Sequence, residues 1–369
     1  MKSLQKANIA IVCDWLTTAG GAEKVILGLH QLFPNAPIYT SVYNPNKVKG
    51  FEDARIITSK VQNIPLFRQH HILFNLLPAI FESFDLSKYD LVISSSSSCA
   101  KGIITKPHTI HVCYCHSPMR YAWDNHQKYI REYKVNSIVK KCAQLLIPKF
   151  RLWDRLSADR VDHFIANSNY IGKRIQKFYR RKSVTIYPFI QPNDFYSTKQ
   201  EDFFFAVGRL TSYKKFDLIV DAFNKNGLPI KIAGTGNMEK SLRSKANKNI
   251  EFLGFTDNEL LKKLYASAKA LILPQKEDFG ITPLEAMASG CPVIAFGSGG
   301  ALETVIDKKT GLFFAEQSVD SLNEAITRLE SYKFDREEII KHAQKFSQEH
   351  FNKQLLKYLD KVFEQNKNS

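Results

Sequence analysis

No apolar run in the 369 residues approaches the ~20 that a membrane-spanning helix needs. The six cysteines, Cys13, Cys99, Cys113, Cys115, Cys142 and Cys291, form no C-x-x-C pair. The first absence argues against a helical membrane protein. The second argues against a zinc site, and the thiols are expected to be reduced residues of the core. Ile9-Ala10-Ile11-Val12-Cys13 is too short for the apolar part of an export signal and is interrupted by Asp14, so it reads as a buried first strand. No G-x-G-x-x-G follows a strand-like segment, which excludes the usual dinucleotide-dependent oxidoreductase. Motifs for RNA or DNA binding are absent too, and no nucleic-acid partner is expected.

What is present is an ordinary globular composition, 44% hydrophobic and 24% charged, in a chain long enough for two cores. The net charge of +16 is unevenly spread. Residues 1–195 hold 27 Lys+Arg against 13 Asp+Glu, and the remainder holds 25 against 23. A one-sided field of this kind suits an anionic partner for the first half alone.

Strand-like and helix-like segments alternate throughout, which predicts a parallel α/β architecture. Strands are expected at 8–14, 36–41, 54–58, 89–94, 109–115, 161–167 and 184–187, then at 203–207, 229–233, 250–254, 269–273, 291–296 and 311–314. Helices are expected at 21–33, 68–83, 136–158 and 168–180, then at 215–225, 257–267, 283–289, 301–307 and 318–330. Two runs of similar length imply two doubly wound domains, facing across a cleft, with the break among Pro188–Lys199. Sheets of this kind bind ligands at the carboxyl ends of their strands.

Four constellations fall at such ends. In Gln275–Gly290, Thr282 suits a helix N-cap and Pro283 the first helical position, so the amides near Gly280, Ile281 and Thr282 would face an anion. Glu277 and Glu285 could bracket a polyhydroxylated ligand there, although Thr282-Pro283-Leu284-Glu285 is also a capping box in which Glu285 needs no ligand. Gly208-Arg209 with Lys214 would bring two cations suited to a diphosphate. Gly20-Gly21 after the first strand would let backbone approach an anion closely. In Tyr114–Asp124, His116 ends a strand ahead of a Ser117-Pro118 turn, where it could serve either structure or ligand. The chain contains no D-x-D tripeptide, the usual carboxylate pair for a metal-bound nucleotide sugar.

Taken together, Glu277-x7-Glu285, Gly208-Arg209 with Lys214, Ala166-Asn167-Ser168, Gly20-Gly21 and Cys115-His116-Ser117-Pro118 resemble the retaining GT-B glycosyltransferases of family 4. The likeness extends over nearly the whole chain. Tyr114–Asp124 resembles more narrowly the bacterial O-antigen and polysaccharide mannosyltransferases that use GDP-mannose. The resemblance implies an acceptor-binding domain of residues 1–193, joined by a C-terminal helix 350–369 that crosses back to it, and a nucleotide-sugar-binding domain of residues 194–349. It further implies that Glu285 holds the ribose hydroxyls and Glu277 those of the transferred sugar. Arg209 and Lys214 would bind the diphosphate, helped by the Ile281 and Thr282 amides and by Gly20-Gly21. His116 would contact the donor sugar near the reacting carbon, Gly234-Thr235-Gly236 would line the nucleotide pocket, and the Phe255–Asp257 turn would touch the base.

The expected function is therefore metal-independent, retaining sugar transfer with no cofactor, most favourably of mannose from GDP-mannose to a lipid-linked glycan in cell-surface polysaccharide synthesis. The expected location is cytoplasmic, peripheral at the inner face of the plasma membrane. Lys140–Trp153 mixes basic and large apolar residues as interfacial segments do, and Leu66, Phe67, Phe74 and Leu77 beside Arg68 add to it. The alternatives are a UDP-sugar enzyme of the same fold, a sugar-nucleotide epimerase, and a non-catalytic nucleotide-sugar-binding protein.

Overall fold

A computed structural model describes residues 4–18, 20–64, 76–124 and 137–367, with the backbone alone for Gln5, 137–144 and Lys367. Leu66, Phe67, Arg68 and Phe74 lie outside the described residues, as do the side chains of Lys140 and Lys141. The chain divides into two compact units. The first comprises Met1–Tyr187 with Asn352–Ser369, and the second Pro188–Phe351. The division thus falls at 187/188, ahead of the break expected at 193/194.

The first unit is built on a seven-stranded parallel sheet in the order β3-β2-β1-β4-β5-β6-β7. Its strands are β1 Ile9–Cys13, β2 Ile38–Thr40, β3 Ile56–Thr58, β4 Leu91–Ser96, β5 Ile110–Cys115, β6 His163–Ala166 and β7 Ser183–Thr185. Both β4 and β5 are buried along their full lengths, as strands covered on both faces must be. Helices α1 Gly21–Leu32, α2 Leu77–Glu82, α3 Ser137–Ser157 and α4 Asn169–Tyr179 belong to this unit. Ser168 caps α4 by accepting the Ile171 amide at 3.1 Å.

A six-stranded parallel sheet forms the second unit, in the order β10-β9-β8-β11-β12-β13. These strands are β8 Phe204–Val207, β9 Ile230–Ala233, β10 Ile250–Gly254, β11 Leu271–Leu273, β12 Val293–Phe296 and β13 Gly311–Phe314. The helices are α5 Phe216–Asn226, α6 Glu239–Lys245, α7 Asn258–Ser267, α8 Ile281–Ala288, α9 Ala301–Thr304, α10 Val319–Leu329 and α11 Arg336–Gln344. A final helix, α12 Gln348–Lys367, starts in the second unit and passes into the first after Phe351. Each unit is a doubly wound, Rossmann-like α/β domain. In each the strand order reverses beside the first strand, between β1 and β4 and again between β8 and β11. Crevices at such reversals are where open α/β sheets hold ligands.

Three helical expectations change. Helix α8 begins at Ile281 with Gly280 as its N-cap, so Thr282 is not the cap and Pro283 is the third helical residue. Gly280 turns the chain at φ +99°, a conformation that side chains disfavour, and Pro283 is still tolerated because first-turn amides need no intrahelical acceptor. The expected helix at 301–307 stops at Thr304. Helices α6 and α11 form in stretches read as loops.

Candidate functional site

The reversal point of the second sheet brings together two loops. The loop after β8 carries Arg209 and Lys214, and the loop after β11 carries Glu277. Lys214 Nζ donates to Glu277 Oε1 at 2.5 Å, and Gln275 Nε2 donates to the same oxygen at 2.7 Å. Arg209 is exposed and donates from Nη2 to the Tyr213 hydroxyl at 3.0 Å, while Lys214 Nζ stands 5.7 Å from the centre of the Tyr213 ring. Tyr213 therefore gathers both cations. The loop is held in one arrangement with its charge presented at the strand ends.

Glycines set the floor of this arrangement. A β-carbon on Gly234 would lie 2.0 Å from the Gly208 carbonyl oxygen, so the turn after β9 can pack against the turn after β8 only without a side chain. The Gly234 amide donates to the Gly254 carbonyl at 2.6 Å, joining the end of β10 to the same layer. Just beyond, the Phe255 ring is 84% exposed, and the Asp257 carboxylate caps α7 by accepting the Leu260 amide at 2.8 Å. The Phe255–Asp257 turn thus presents an apolar ring, with its acid committed to the helix.

The N-cap of α8, Gly280, has no side chain to accept its first amides, at Ile281 and Thr282, which lie at a helix N-terminus suited to phosphate. Glu285 lies a full turn into α8 and forms no capping box with Thr282. Its Oε2 instead accepts from the Tyr265 hydroxyl at 3.2 Å. Burial raises the Tyr265 phenol pKa well above its ordinary value, so the phenol stays a donor. The Glu277 loop is backed by the turn after β12. Its Gly300 amide donates to the Glu277 carbonyl at 2.9 Å, and a β-carbon on Gly299 would lie 2.4 Å from that oxygen.

The first unit treats its own reversal point differently. Asp14, after β1, accepts the amides of Ser97 at 2.6 Å, Ser98 at 2.9 Å and Ala100 at 2.7 Å from the loop after β4. A protein carboxylate already fills that nest of amides. Gly20 is the N-cap of α1 and Gly21 its first residue. A β-carbon on Gly20 would lie 2.9 Å from Glu23 Oε2, so an acid is folded back over this terminus as well. His116 follows β5, and its Nε2 pairs with the Ser95 hydroxyl at 2.8 Å. Burial lowers its pKa to about 4, so the ring is neutral at neutral pH.

The loop after His116 is pinned from beneath. Trp123 Nε1 donates to Asp154 Oδ2 at 2.7 Å, Tyr179 donates to the same oxygen at 2.9 Å, and Lys101 is bonded to Oδ1. Arg174 reaches Ser117 at 2.6 Å and Asp124 at 2.7 Å. Much of Tyr114–Asp124 is therefore a buttressed wall. Among the described residues, no three His, Cys, Asp or Glu side chains gather as a metal-ligand set.

Residues 19–194 match the family described as "Glycosyltransferase Family 4", and residues 188–346 match "Glycosyl transferases group 1". The chain belongs to glycosyltransferase family 4. The alpha-1,3/1,6-mannosyltransferase ALG2 of Dictyostelium discoideum is 28% identical over 379 residues, covering 84% of this chain and 87% of that protein. O-antigen chain mannosyltransferase C of Escherichia coli is 26% identical over 350 residues, covering 85% of each. Among solved structures, sucrose-phosphate synthase from Thermosynechococcus elongatus superposes with a TM-score of 0.73 at 18% identity, covering 96% of this chain and 98% of that one. Anabaena HepE in complex with UDP and glucose gives a TM-score of 0.71 at 17% identity, covering 96% and 99%. These likenesses establish the GT-B fold.

For this family 4 glycosyltransferase, the sequence named Arg209 with Lys214 and Glu277 with Glu285 as two separate pairs. The structure adds Tyr213, Gln275 and Tyr265 as the groups that hold them. Gly297-Ser298-Gly299-Gly300 directly after a strand was a usable signal for the backing turn. Asp14 gave none beyond breaking an apolar run.

Proposed function

We propose that this glycosyltransferase moves mannose from GDP-mannose, with retention of configuration, to a glycan carried on a lipid diphosphate at the inner face of the membrane. The observation that carries donor binding is the pairing of Lys214 with Glu277 at the reversal point, in the unit whose helix α8 has Gly280 as its N-cap. Lys214 and Arg209 supply fixed positive charge for a leaving diphosphate, and Glu277 accepts from sugar hydroxyls beside it. Glu285, steadied by Tyr265, takes the ribose hydroxyls. In the first unit, neutral His116 is assigned to the sugar, and Gly20-Gly21 to a lesser phosphate contact in competition with Glu23.

Chemically, the bond between the sugar's anomeric carbon and the phosphate oxygen breaks. The acceptor oxygen bonds that carbon on the same face, and its proton passes to the departing phosphate oxygen. No protein base is required. The donor sugar rests on the two relatives matched over 84% and 85% of the chain, both named mannosyltransferases, and on the resemblance carried by Tyr114–Asp124.

The test is to incubate the protein with GDP-mannose and extracted lipid-linked glycans, following free GDP and the anomeric configuration of the product by NMR. Acceptor-dependent GDP release with an α-linked product supports the reading. Failure to release nucleotide from any GDP or UDP sugar would leave a binding module instead.

A further inference from the structure

The outward side of α3 is apolar where a water-facing helix should be polar. Leu145, Leu152 and Leu156 are 76%, 61% and 54% exposed. At spacings of seven and four residues they fall in one line along roughly 16 Å of helix. Exposed Pro148 and Lys149 lie within the same stripe. The opposite side is the one the fold uses, since Phe150, Asp154 and Ser157 are buried there. The bonds of Asp154 to Lys101, Trp123 and Tyr179 fix which side that is, so the leucines cannot roll inward.

The sequence segment that carries this helix is basic, and Lys149 is exposed on the stripe itself. Residues 137–182 hold twelve Lys+Arg and three Asp+Glu. Each of the three acids is already engaged. Asp154 is buried on Lys101, Asp159 accepts from Arg155 at 2.7 Å, and Asp162 accepts the His111 amide at 2.7 Å. A second copy of the chain docked on the same face would set Lys149 against its own kind. Aligned leucines beside cations instead fit a surface with an apolar interior under an anionic skin.

We propose that this face of α3 docks the first unit on an anionic lipid bilayer. Leu145, Leu152 and Leu156 enter the headgroup boundary, and Lys149 meets lipid phosphates. The assignment deepens the reading above and rests on it for the membrane-borne acceptor, while the physical contact is testable without any acceptor.

The experiment is co-sedimentation with vesicles of phosphatidylcholine alone and of phosphatidylcholine mixed with phosphatidylglycerol. The protein should follow the anionic vesicles and be released by salt. The triple variant Leu145→Gln, Leu152→Gln, Leu156→Gln should bind them at least about tenfold more weakly. Its melting temperature and GDP affinity should match the wild type, because exposed positions contribute little to the fold. Lys149→Gln should give a smaller loss. Equal sedimentation of the triple variant, or no wild-type binding to anionic vesicles at low salt, overturns the docking face. So does a solution dimer that the triple variant abolishes, since the occupant would then be a second copy. Unchanged GDP affinity in a protein that ignores vesicles sinks only the docking. Vesicle binding without donor binding sinks only the proposed chemistry.

Discussion

Lys214 Nζ and Glu277 Oε1 lie 2.5 Å apart although 63 residues separate them in sequence. The pair spans the reversal point of the second sheet. A donor diphosphate arriving there must share Lys214 with the carboxylate, and the two side chains should act as one unit. Lys214→Met leaves Glu277 without its cation, and Glu277→Gln leaves Lys214 without its acceptor charge. Each should lower kcat/KM by roughly 100-fold or more, the scale of one lost donor to a developing charge. The double variant should lose less than the product of the two, by about 1–3 kcal/mol of coupling, read from steady-state nucleotide release. Strictly multiplicative losses would mean that the residues work independently. Glu277→Ala alone should leave free GDP affinity at or slightly above wild type, because its proposed partner is the sugar and its loss frees Lys214 for the diphosphate.

Glu285 distinguishes two roles that the sequence left open. Its place in α8, after the Gly280 cap, removes it from helix capping, and the Tyr265 hydroxyl holds it at 3.2 Å. Glu285→Ala should therefore weaken GDP binding, and its melting temperature should fall by no more than one hydrogen bond left unmade at Tyr265 accounts for. Tyr265→Phe should weaken it by a smaller factor, about that of one hydrogen bond to a charged group. A falling melting temperature with intact GDP affinity would return Glu285 to a purely structural role.

The parallel sheets were legible because strands covered on both faces read as apolar runs, as Leu271-Ile272-Leu273 does. Helix α6 was not legible, since Leu242 is the one buried residue among its seven and leaves no periodicity to detect. The start of α8 was misplaced because Thr282-Pro283 imitates a cap, whereas the deciding fact is the positive φ of Gly280, which no local pattern encodes. Site residues could be named singly from their strand-end positions. The roles of Tyr265 and Asp14 could not be named, because their contacts are set by sheet order and not by local spacing, whereas Gln275 lies only two residues from Glu277.

His111 is fully buried between Ser94, at 2.8 Å from Nε2, and the Arg160 carbonyl, at 3.2 Å from Nδ1. Burial lowers its pKa to about 4. The unfolded chain takes up this proton near pH 6.5 and the folded chain only near 4, so its stabilising effect is complete above 6.5 and fades as pH falls toward 4. The loss should reach about 3 kcal/mol at the lower end of that window. Melting temperatures measured across it should decline in the wild type and decline less steeply in His111→Asn. A flat wild-type profile from pH 6.5 to 5 would refute the assignment.

Two side-chain cations, Arg209 and Lys214, are proposed to neutralise the leaving diphosphate, and the sequence carries no D-x-D pair to hold a metal. Transfer should then persist at an undiminished rate in excess EDTA. Arg209→Ala and Lys214→Ala should lose activity that added magnesium or manganese does not restore. An absolute requirement of the wild type for either metal ion would overturn the proposed role of the cations.

Donor choice turns on the base, where the Phe255–Asp257 turn is the proposed contact. Gly254 holds φ +69° there, Phe255 is exposed, and the Asp257 carboxylate is occupied in capping α7. Discrimination therefore falls to backbone donors and acceptors, which meet guanine and uracil through different polar edges. A site built to pair one edge rejects a base that leaves its buried groups unpaired. GDP should bind at least about tenfold more tightly than UDP, a difference of roughly 1.4 kcal/mol. GDP-mannose should hold the same advantage over UDP-glucose. The fold alone does not decide this, because HepE, crystallised with UDP and glucose, shares the architecture at 17% identity. Phe255→Ala should weaken both nucleotides by a similar factor if its ring only stacks, since every base offers a π-face, and should leave the GDP preference in place. Calorimetric titration of wild type and variant with GDP and UDP measures both quantities. A clear preference for UDP would remove GDP-mannose as the donor and leave sugar transfer itself untouched.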